Sequence, residues 1–392
     1  MKGKDLSIIA LVILVAAILC LTMLTVHEIL VSGPITINNS GVVEDNQSRS
    51  YFQSTTGSQH TSPSFRTITD MNGRTVTIPT NISKVIGSST FVYVLAPDKL
   101  GAWQSQLSNK SRRFILEKYR NLPVISSTNY EAIISAHPDI VIIESDDLAS
   151  TEIIQEKLGP VPLVSIRIAR NATDYTRFLR FTGDLLGVPD RANETIDYYE
   201  NVLNEVQTNV SAIPRSERMR VYYGWGADGL STDPMGAMPY PHSQLIDVCG
   251  GINVARENKT DSTSTAMGSN ITEILLANSG SLFVTKESVI KWNPDVIMTS
   301  DSTFSHNIYD DESWQHVTAV KNHRVHLTPT LPNNWFDRPP GINRIVGIPW
   351  TAHVLYPDLF SEEWFRSRVK EYYAVYYHYD NLSDEEISYL LY

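Results

Sequence analysis

Apolar and polar positions alternate with a helical period over one long uninterrupted stretch, from Asp190 to Ser211. Its apolar positions are three and four residues apart and fall on one side of a helix: Ile196, Tyr199, Leu203, Val206 and Val210. Gly187 and Pro189 interrupt the preceding element, Asp190 is a candidate N-cap, and Pro214 ends the run. At about 1.5 Å per residue the helix would be roughly 33 Å long. That length predicts a helix that joins two bodies.

Two segments on either side of this helix share one pattern. Glu131 lies seven residues before Pro138-Asp139, and Glu287 lies seven residues before Pro294-Asp295. In both segments, the apolar residues after the glutamate predict a short helix, and Pro-Asp opens an apolar run that predicts a strand. The matched spacing indicates that a half-domain is duplicated or that two half-domains have converged.

The rest of the pattern alternates short apolar runs with helices. Asn72-Gly73 centres a predicted hairpin over 66–79. Further strands are predicted at 84–87, 100–103, 139–143, 161–166, 219–223, 253–255, 295–298 and 324–327. We predict an α/β protein with two doubly wound, mostly parallel-sheet lobes, joined by the long helix and separated by a ligand cleft. The predicted bounds are an N-terminal lobe over 66–170, a helical segment over 171–213 and a C-terminal lobe with terminal helices over 214–392.

Two lysines at the N-terminus precede an uncharged apolar run from Ile8 to Val26. Its nineteen residues suffice for a membrane-spanning helix, and the lysines favour a cytoplasmic N-terminus. We therefore predict an uncleaved anchor within 1–32. The alternative is a cleaved signal peptide, although no small-residue cleavage site stands out. Leu19 before Cys20 also departs from a lipoprotein signal, which would place a small residue there.

Residues 33–65 are mainly polar and predict a flexible stalk that cannot bury enough apolar surface to fold. Asn-x-Ser/Thr sequons begin in this stalk and continue along the chain, at Asn38, Asn46, Asn81, Asn109, Asn171, Asn193, Asn209, Asn258, Asn270 and Asn381. Ten of the 24 asparagines head a sequon, against about four expected from the frequency of Ser and Thr. Sequons accept sugars only on exported chains, so the excess indicates an extracytoplasmic body.

Length, charge and cysteines narrow the possible classes of protein. A chain of 392 residues can bury one large core or two ordinary ones. Its formal charge of −11, without clustered Lys or Arg, argues against nucleic acid as a partner. One of the two cysteines lies in the apolar N-terminal run, so no disulfide framework is available. Cys249 is predicted to be a small buried residue, with a nucleophile as the alternative.

Ligands of open parallel sheets bind outside the carboxyl ends of the strands, so the loops after the predicted strands should line the cleft. We predict that these loops supply the ligand-binding residues Ser88, Ser89, Phe91, Trp103, Tyr223, Trp225, Ser300, Trp335 and Arg338. The same loops also carry Glu144, Ser145, Arg167 and Asp301. Aromatic rings offer flat apolar walls, and arginine offers paired donors to a carboxylate or an anionic chelate. The alternatives are core packing for each tryptophan and an ion pair with Asp337 for Arg338.

The sequence contains no set of residues typical of catalysis. It has no Gly-x-Ser-x-Gly elbow, His-Glu-x-x-His motif or phosphate-binding loop, so we predict that the protein is not an enzyme. His316, His323 and His326 lie close in sequence, but no carboxylates accompany them at a useful spacing. We therefore predict neither a protein-bound metal site nor a cofactor.

Several of these features occur in an order that resembles a known family. They are the segment 70–79 (Asp-Met-Asn-Gly-Arg-Thr-Val-Thr-Ile-Pro), the two Glu/Pro-Asp units, the spanning helix, and Ala319-Val-Lys-Asn with Arg324-Val. Together they resemble substrate-binding proteins of ABC importers, above all the cluster that carries iron–siderophore complexes, haem and cobalamin. The resemblance extends from about residue 66 to the C-terminus. The segment 334–340 (Asn-Trp-Phe-Asp-Arg-Pro-Pro) is similar to an iron- or nickel-associated branch.

This resemblance implies a periplasmic-binding-protein fold whose rigid interlobe helix limits closure. In that family one glutamate of each lobe contacts arginines of the permease, which implies docking roles for Glu131 and Glu287. The alternative is that each carboxylate only stabilises the start of its helix. The resemblance also implies an ABC permease and ATPase subunits as partners of a monomer at the cell surface, tethered through its N-terminal helix.

The expected cargo is a metal chelate, first of all of the iron(III)–siderophore type. Cobalamin, haem, a nickel complex, bare metal or an oxyanion are alternatives within the same fold. A surface sensor, an adhesin or a hydrolase is a more distant alternative. The uncleaved anchor and the missing lipoprotein signal depart from the usual tethering of the family. With the sequons, they favour an archaeal surface protein.

Overall fold

The computed structural model describes residues 64–167, 172–233, 243–257, 282–337 and 341–391. They belong to a compact unit that extends from Thr61 to Tyr392. Among these residues, no helix has both the length and the apolar composition needed to cross a bilayer. The anchor predicted within 1–32 and nearly all of the predicted stalk lie outside the described residues. The first strand begins at Phe65, the last residue assigned to the stalk.

The described strands of the N-terminal lobe are β1 (Phe65–Thr69), β2 (Thr75–Pro79), β3 (Val85–Ile86), β4 (Ile140–Glu144) and β5 (Leu163–Ile166). β1 and β2 form the predicted antiparallel hairpin around Asn72-Gly73. β3, β4 and β5 form a parallel sheet in that order, and burial on both faces explains why β4 and β5 are mainly apolar. The strand predicted over 100–103 is wrong: only isolated bridges form there, from Leu100 and from Trp103.

The described strands of the C-terminal lobe are β6 (Arg220–Trp225), β7 (Ser231–Thr232), β8 (Ile252–Asn253), β9 (Leu282–Phe283), β10 (Val296–Thr299) and β11 (Val325–Leu327). They form one sheet in the order β11-β10-β6-β7-β9, and β8 pairs with the start of β6. The sheet is mixed, because β7 runs antiparallel to β6 and β9. The strand predicted over 253–255 ends at Asn253, whose side chain accepts a hydrogen bond from the Ala255 N–H and so starts a helix.

Helices alternate with these strands and cover the sheets. The described α-helices are α1 (Ser89–Leu95), α2 (Asn109–Arg112), α3 (Tyr130–Ser135), α4 (Leu148–Leu158), α5 (Tyr175–Leu186), α6 (Pro189–Ser211), α7 (Gln244–Val248), α8 (Val254–Glu257), α9 (Lys286–Trp292), α10 (Ser302–Asn307), α11 (Thr318–Lys321), α12 (Arg344–Leu355), α13 (Glu362–Tyr377) and α14 (Asp384–Leu391). Short 3-10 helices lie at Pro97–Lys99, Glu117–Tyr119, Arg215–Glu217 and Glu312–Trp314. The predicted α/β fold class is confirmed.

The long interlobe helix is α6, which begins one residue earlier than predicted. Pro189 lies in its first turn, where the missing N–H is tolerated, so Asp190 is a first-turn residue and not the N-cap. All five apolar positions predicted for its inner face are buried. The helix packs against α5, α12 and α13. The approach to α5 is close, because a Cβ on Gly183 would lie 2.3 Å from the Ala192 Cβ.

The C-terminal helix α13 connects the interlobe helix with the N-terminal lobe. Tyr93 of α1 donates its hydroxyl to the Tyr377 carbonyl oxygen of α13 at 3.2 Å. Tyr376 of α13 donates to the Thr195 carbonyl oxygen of α6 at 2.6 Å. These side chains belong to one hydrophobic core that includes residues of both lobes and of α6. Two helices, α6 and α13, therefore hold the lobes together.

The two Glu/Pro-Asp units have the same local structure. Asp139 Oδ2 accepts a hydrogen bond from the Lys84 N–H at 2.8 Å, and Asp295 Oδ2 accepts one from the Arg220 N–H at 2.9 Å. Each aspartate N–H donates in return to the carbonyl oxygen of the same Lys84 or Arg220, at 2.8 Å in both cases. The side chains of Lys84 and Arg220 then donate to carbonyl oxygens at the C-terminal ends of α3 and α9. The two units therefore share their local structure as well as their spacing, and whether they arose by duplication or by convergence stays open.

Candidate ligand-binding site

The turn after β3 places Ser88 against β4. Gly87 has a φ of 90°, and a Cβ at this position would lie 2.0 Å from the Ile142 carbonyl oxygen, so the turn requires glycine. Ser88 follows with a φ of 41°, in the left-handed region that serine rarely adopts, and it is buried. Its hydroxyl proton has two alternative acceptors, the Ile142 carbonyl oxygen at 3.4 Å and the Glu144 carboxyl group. Such backbone strain is typical of functional sites.

Glu144 is the last residue of β4, and its carboxyl group is titratable near neutral pH. Burial raises the pKa of this carboxyl to about 7, and the hydrogen bond with Ser88 acts in the opposite direction. Both forms are therefore populated at pH 7: a protonated form that donates a hydrogen bond and an ionised form that accepts one. Carboxyl groups perturbed in this way concentrate in binding and catalytic sites.

A polar cluster lies where the segment after β5 meets the C-terminal lobe. Gln244, the first residue of α7, accepts hydrogen bonds from the Ala172 N–H at 2.7 Å and from Arg344 Nη2 at 3.1 Å. Arg344 is the first residue of α12 and is fully buried. Tyr175, the first residue of α5, donates to the Gly341 carbonyl oxygen at 2.7 Å and also hydrogen-bonds Arg344. The cluster therefore joins the helical segment that follows the N-terminal lobe to α7 and α12.

Tyr175 connects this cluster electrostatically with Glu144. Burial raises the pKa of the Tyr175 hydroxyl to about 12, Glu144 acts in the same direction, and the Arg344 guanidinium opposes both. The phenol therefore stays protonated at neutral pH. The guanidinium keeps its charge at every physiological pH. The junction of the lobes thus combines a permanent cation, a neutral hydroxyl and a titratable carboxyl.

Aromatic side chains at the end of β6 form the adjoining part of the C-terminal lobe. Tyr223 is buried and donates its hydroxyl to Asp337 Oδ2 at 2.6 Å. Its ring centroid lies 5.3 Å from that of Trp225 and 4.8 Å from that of Phe336. Trp225 is half-buried. The structure thus brings Tyr223 and Trp225 together with the loop that leads to the predicted Arg338.

Three other predicted aromatic residues lie in the core. Phe91 packs edge-on against Phe178 with ring centroids 4.4 Å apart. Trp103 and Trp335 each donate the indole N–H to a backbone carbonyl oxygen, at 2.8 and 2.7 Å. All three predicted residues are at most 4% exposed, which agrees with the core-packing alternative for the two tryptophans. A ligand contact from any of them stays a prediction.

Ser89 and Ser300 are the other predicted ligand-binding residues that the structure describes. Ser89 exchanges hydrogen bonds with Gln104: the Ser89 N–H donates to Oε1 at 3.0 Å, and its hydroxyl accepts from the Gln104 N–H at 3.3 Å. Ser300 is half-buried after β10, and Arg167 is exposed after β5. Arg338 lies outside the described residues.

Two of the additional loop residues have local structural roles. Asp301 caps α10 through hydrogen bonds from the N–H groups of Thr303 and Phe304, at 2.9 and 3.0 Å. The Ser145 hydroxyl donates to the Asp147 carbonyl oxygen at 3.3 Å, in the turn before α4. Neither contact requires a ligand.

The two predicted docking glutamates occupy equivalent positions. Glu131 is the second residue of α3, Glu287 is the second residue of α9, and both are exposed. The residue before each helix, Asn129 or Thr285, caps it with a side-chain oxygen at 3.1 Å from a backbone nitrogen. Hydrogen bonds from its own backbone N–H and from Thr285 hold the pKa of the Glu287 carboxyl below its usual range. Glu287 is therefore ionised at neutral pH.

A cavity of about 770 Å³ lies beside β11, the edge strand of the C-terminal sheet. Four histidines contribute to its lining: His306, His323, His326 and His353. Burial, assisted by the charges of Arg324 and His353, lowers the pKa of His326 to about 4. His353 Nε2 lies 2.9 Å from Glu362 Oε2. Within the described ranges, no three or more His, Cys, Asp and Glu side chains are grouped so that they could hold a metal ion.

Sequence reasoning misses Tyr175, Gln244 and Arg344, because none of them directly follows a predicted strand. One signal was present in the sequence. Arg344 is the only Lys, Arg, Asp or Glu in α12, whose other residues are mostly apolar and buried. A charged residue is rarely buried without a partner or a function, so an arginine in an apolar helix deserves a place among site candidates.

Residues 119–331, more than half of the chain, match the family described as periplasmic binding protein, and the chain belongs to that family. It is 23% identical over 309 residues to YvrC of Bacillus subtilis, an uncharacterized ABC transporter substrate-binding lipoprotein, covering 76% of this chain and 87% of YvrC. It is 22% identical over 344 residues to the molybdate-binding protein MolA of Haemophilus influenzae, covering 80% of this chain and 91% of MolA. A solved ABC transporter solute-binding protein from Sulfurospirillum deleyianum is similar with a TM-score of 0.68 and 26% identity, covering 83% of this chain and 98% of the other.

These similarities fix the class of the protein at a general level. It is an extracytoplasmic substrate-binding protein of the kind that works with an ABC permease and its ATPase. The predictions of a two-lobed α/β binding protein and of a protein that is not an enzyme are confirmed. They do not identify the solute that the protein binds.

Proposed function

We propose that this protein captures an anionic solute between its lobes and delivers it to an ABC permease. The observation that supports the charge of the solute is the buried Arg344 guanidinium at the junction of the lobes. Gln244 accepts a hydrogen bond from it, and Tyr175 also hydrogen-bonds it, so the guanidinium is held in one orientation. An anionic group would bind such a guanidinium strongly, because the charge is already desolvated and oriented.

The cargo that we propose is an anionic metal chelate of the iron(III)–siderophore type. Trp225 at the end of β6 is half-buried and offers a flat apolar face to the organic part of a chelator, and the buried Tyr223 packs against both Trp225 and Phe336. Arg344 would contact the anionic oxygens of the chelate. Haem, cobalamin and a nickel complex would use the same apolar surface and are the alternatives to be tested beside it.

A molybdate-type oxyanion is the second candidate. It is favoured by the similarity to MolA, a molybdate-binding protein, and by the buried Arg344. A tetrahedral oxyanion accepts hydrogen bonds, and a protonated Glu144 would donate one, whereas an ionised Glu144 would repel the dianion. Because the pKa of Glu144 is about 7, the affinity for molybdate should fall as the pH rises above 7.

Thermal unfolding of the full chain against a panel of solutes tests the proposed class of cargo. The panel contains ferric siderophores, haem, cobalamin, nickel–histidine, molybdate and tungstate. A solute at a hundred times its dissociation constant stabilises the native state by about 2.7 kcal/mol. Stabilisation by a ferric siderophore or another anionic member supports the proposal. A folded protein that none of them stabilises would contradict it and favour a sensor or an adhesin.

Substitution of Arg344 tests the residue that supports the proposal. We expect Arg344→Met to weaken binding of the stabilising solute at least about 30-fold, because a buried charged contact is lost. Arg324→Met is the matched control: Arg324 Nη2 donates to the Val354 carbonyl oxygen at the other end of α12, at 2.7 Å. Tyr175→Phe is a milder variant and should cost about tenfold. Unchanged binding by a folded Arg344→Met protein would exclude the arginine as the anion contact.

We further propose that Glu131 and Glu287 dock on the permease and that the apolar run from Ile8 to Val26 anchors the protein in the membrane. Exposure and equivalent placement of the two glutamates support the first proposal. The length of the uncharged run supports the second. The mass of the N-terminal peptide from the membrane fraction tests the anchor, because cleavage would remove residues 1–32.

A further inference from the structure

The five described sequon asparagines are all exposed. They are Asn81, Asn109, Asn193, Asn209 and Asn381. Of the twelve other described asparagines, only seven are exposed, and Asn253 and Asn343 are buried. These five sequons therefore lie where an attached sugar would extend into solvent without displacing the core.

We propose that this protein carries N-linked sugars at these exposed sequon asparagines and that the sugars are added before the chain folds. In the reaction, the asparagine Nδ2 forms a bond to C1 of a sugar carried by a lipid-linked sugar phosphate. The bond between C1 and the phosphate oxygen breaks, the lipid phosphate leaves with the electron pair, and the amide loses one proton. The proposal is independent of the cargo that the protein binds.

The burial of two sequon hydroxyl groups indicates that glycosylation precedes folding. The acceptor motif requires a Ser or Thr two residues after the asparagine. Thr195, which serves Asn193, is fully buried and donates to the Ala192 carbonyl oxygen at 2.7 Å. Ser111, which serves Asn109, is also buried and donates to the Pro332 carbonyl oxygen at 3.0 Å. An enzyme that reads both residues of the motif can reach these two sites only in the unfolded chain.

In the other three described sequons, the hydroxyl residue is accessible in the folded protein. Ser83, Ser211 and Ser383, which serve Asn81, Asn209 and Asn381, are exposed in the folded protein. A transferase that acts on the folded protein would therefore modify these three sites and leave Asn193 and Asn109 bare. The pattern of occupied sites distinguishes the two orders of events.

The positions of the five sites leave the proposed functional surfaces free. Asn193 and Asn209 lie on α6, sixteen residues and about 24 Å apart. None of the five described sequon asparagines lies on α3 or α9, the helices that carry Glu131 and Glu287. Sugars on these five residues are thus compatible with docking on a permease.

Mass spectrometry of one tryptic peptide tests whether the sequon asparagines carry sugar. Cleavage after Arg191 and Arg215 releases residues 192–215, which include Asn193 and Asn209 in sequons and Asn201 and Asn204 outside them. All four asparagines are exposed on α6, so Asn201 and Asn204 are matched controls. The protein is purified from membranes of the cell that makes it, and electron-transfer fragmentation locates any added sugar. We expect sugar on Asn193 and Asn209 and none on Asn201 or Asn204.

Three results would overturn the proposal. Bare asparagines at all five described sites would exclude the modification. Sugar at Asn81, Asn209 and Asn381 alone would exclude addition before folding. Sugar on Asn201 or Asn204 would show that the motif does not select the acceptor.

Substitutions check that the motif itself is read. Asn193→Gln and Thr195→Val should each remove one sugar and shift the electrophoretic mobility by the same amount. Asn201→Gln should leave the mobility unchanged. Thr195→Val keeps both the asparagine and the buried volume, so a sugar retained on this variant would also contradict the proposal.

Discussion

Gly87 and Gly73 have similar positive φ angles, 90° and 82°, in different surroundings. A Cβ on Gly87 would lie 2.0 Å from the Ile142 carbonyl oxygen, whereas a Cβ on Gly73 would have nothing within 4 Å. We expect Gly73→Ala to lower the free energy of unfolding by about 1 kcal/mol through backbone strain alone. Gly87→Ala should cost at least about 2 kcal/mol more, because the clash is with backbone. Denaturant unfolding measures both, and equal losses would show that the turn that places Ser88 is not tight.

Glu144 gives the stability of the protein a specific dependence on pH. Its pKa is about 7 in the folded protein and about 4.5 in the unfolded chain, because burial favours the neutral form. The folded state therefore binds the proton more tightly, and this group favours folding at low pH and disfavours it as the pH rises from 4.5 to 7. The full difference amounts to roughly 3 kcal/mol above pH 7.

The variant Glu144→Gln isolates this effect. It should be more stable than the wild type at pH 8 by up to about 3 kcal/mol and differ little from it at pH 4.5, as measured by urea unfolding. Glu156→Gln, which removes an exposed carboxyl on α4, should not show this difference between the two pH values. If Glu144→Gln changes stability equally at both pH values, folding does not raise the pKa of this carboxyl.

The two Pro-Asp units have the same local structure, so the strengths of their hydrogen bonds can be compared. Burial acts to raise the pKa of the Asp139 carboxyl, but hydrogen bonds from Ser83 and Lys84 outweigh it and lower the pKa. Asp139 Oδ2 accepts three such bonds, at 2.7, 2.8 and 2.8 Å. The carboxylate of Asp295 accepts a bond from the Arg220 N–H at 2.9 Å. The link between strand and Pro-Asp turn should therefore be stronger in the N-terminal lobe.

We expect Asp139→Ala to cost about 3 kcal/mol and Asp295→Ala about 1.5 kcal/mol of unfolding free energy. Because the folded pKa of Asp139 is lowered, its contribution is present above the unfolded pKa and is lost as the pH falls through the folded value. The cost of Asp139→Ala should thus shrink in acid. Urea unfolding at pH 7 and pH 3 checks both statements, and a larger cost for Asp295→Ala would reverse the ranking.

Elements with a regular period were predictable from the sequence, and elements that depend on long-range contacts were not. The 3.6-residue period of α6 and the apolar runs of β4 and β5 are local properties, and all three elements form. The run at 100–103 finds only isolated bridges, and Asn253 ends its strand by capping a helix. Whether an apolar run completes a strand depends on partners that the local sequence does not specify.

The candidate site likewise contains residues that the local sequence predicts and residues that only long-range packing brings together. Ser88 and Glu144 follow predicted strands, so the carboxyl-end rule finds them. Tyr175, Gln244 and Arg344 begin three different helices and meet only through the packing of α5, α7 and α12. Residues 172 and 344 are far apart in the chain, and no local pattern indicates that Gln244 joins them. Only the tertiary structure reveals the buried arginine as a neighbour of Tyr175 and Gln244.

The lobes are connected by α13 as well as by the interlobe helix α6. α6 spans the junction, and α13 is hydrogen-bonded both to α6 through Tyr376 and to α1 through Tyr93. A domain movement would have to bend two helices that share one core. We therefore expect lobe separation to require force from a partner that holds both lobes. Glu131 and Glu287, one on each lobe, are placed for such a partner.

Charge reversal at these two positions tests this arrangement. We expect Glu131→Lys and Glu287→Lys together to abolish uptake of the solute that the thermal panel identifies, because the lysines that replace the exposed carboxylates would repel basic residues of a permease. The dissociation constant for that solute should stay within about twofold, since neither residue belongs to the polar cluster around Arg344. Uptake into proteoliposomes that contain the permease and its ATPase, with calorimetry on the free protein, measures both quantities.

The control for the double variant is Glu217→Lys, a charge reversal at another exposed glutamate, in the 3-10 helix after α6. It changes the net charge without altering α3 or α9, so uptake should persist. Loss of uptake in this control would show that general charge and not docking is responsible. Each single reversal should lower uptake less than the pair does, because the other lobe remains attached. Full uptake by the double variant would exclude the two glutamates as docking residues and leave them as residues that stabilise the starts of their helices.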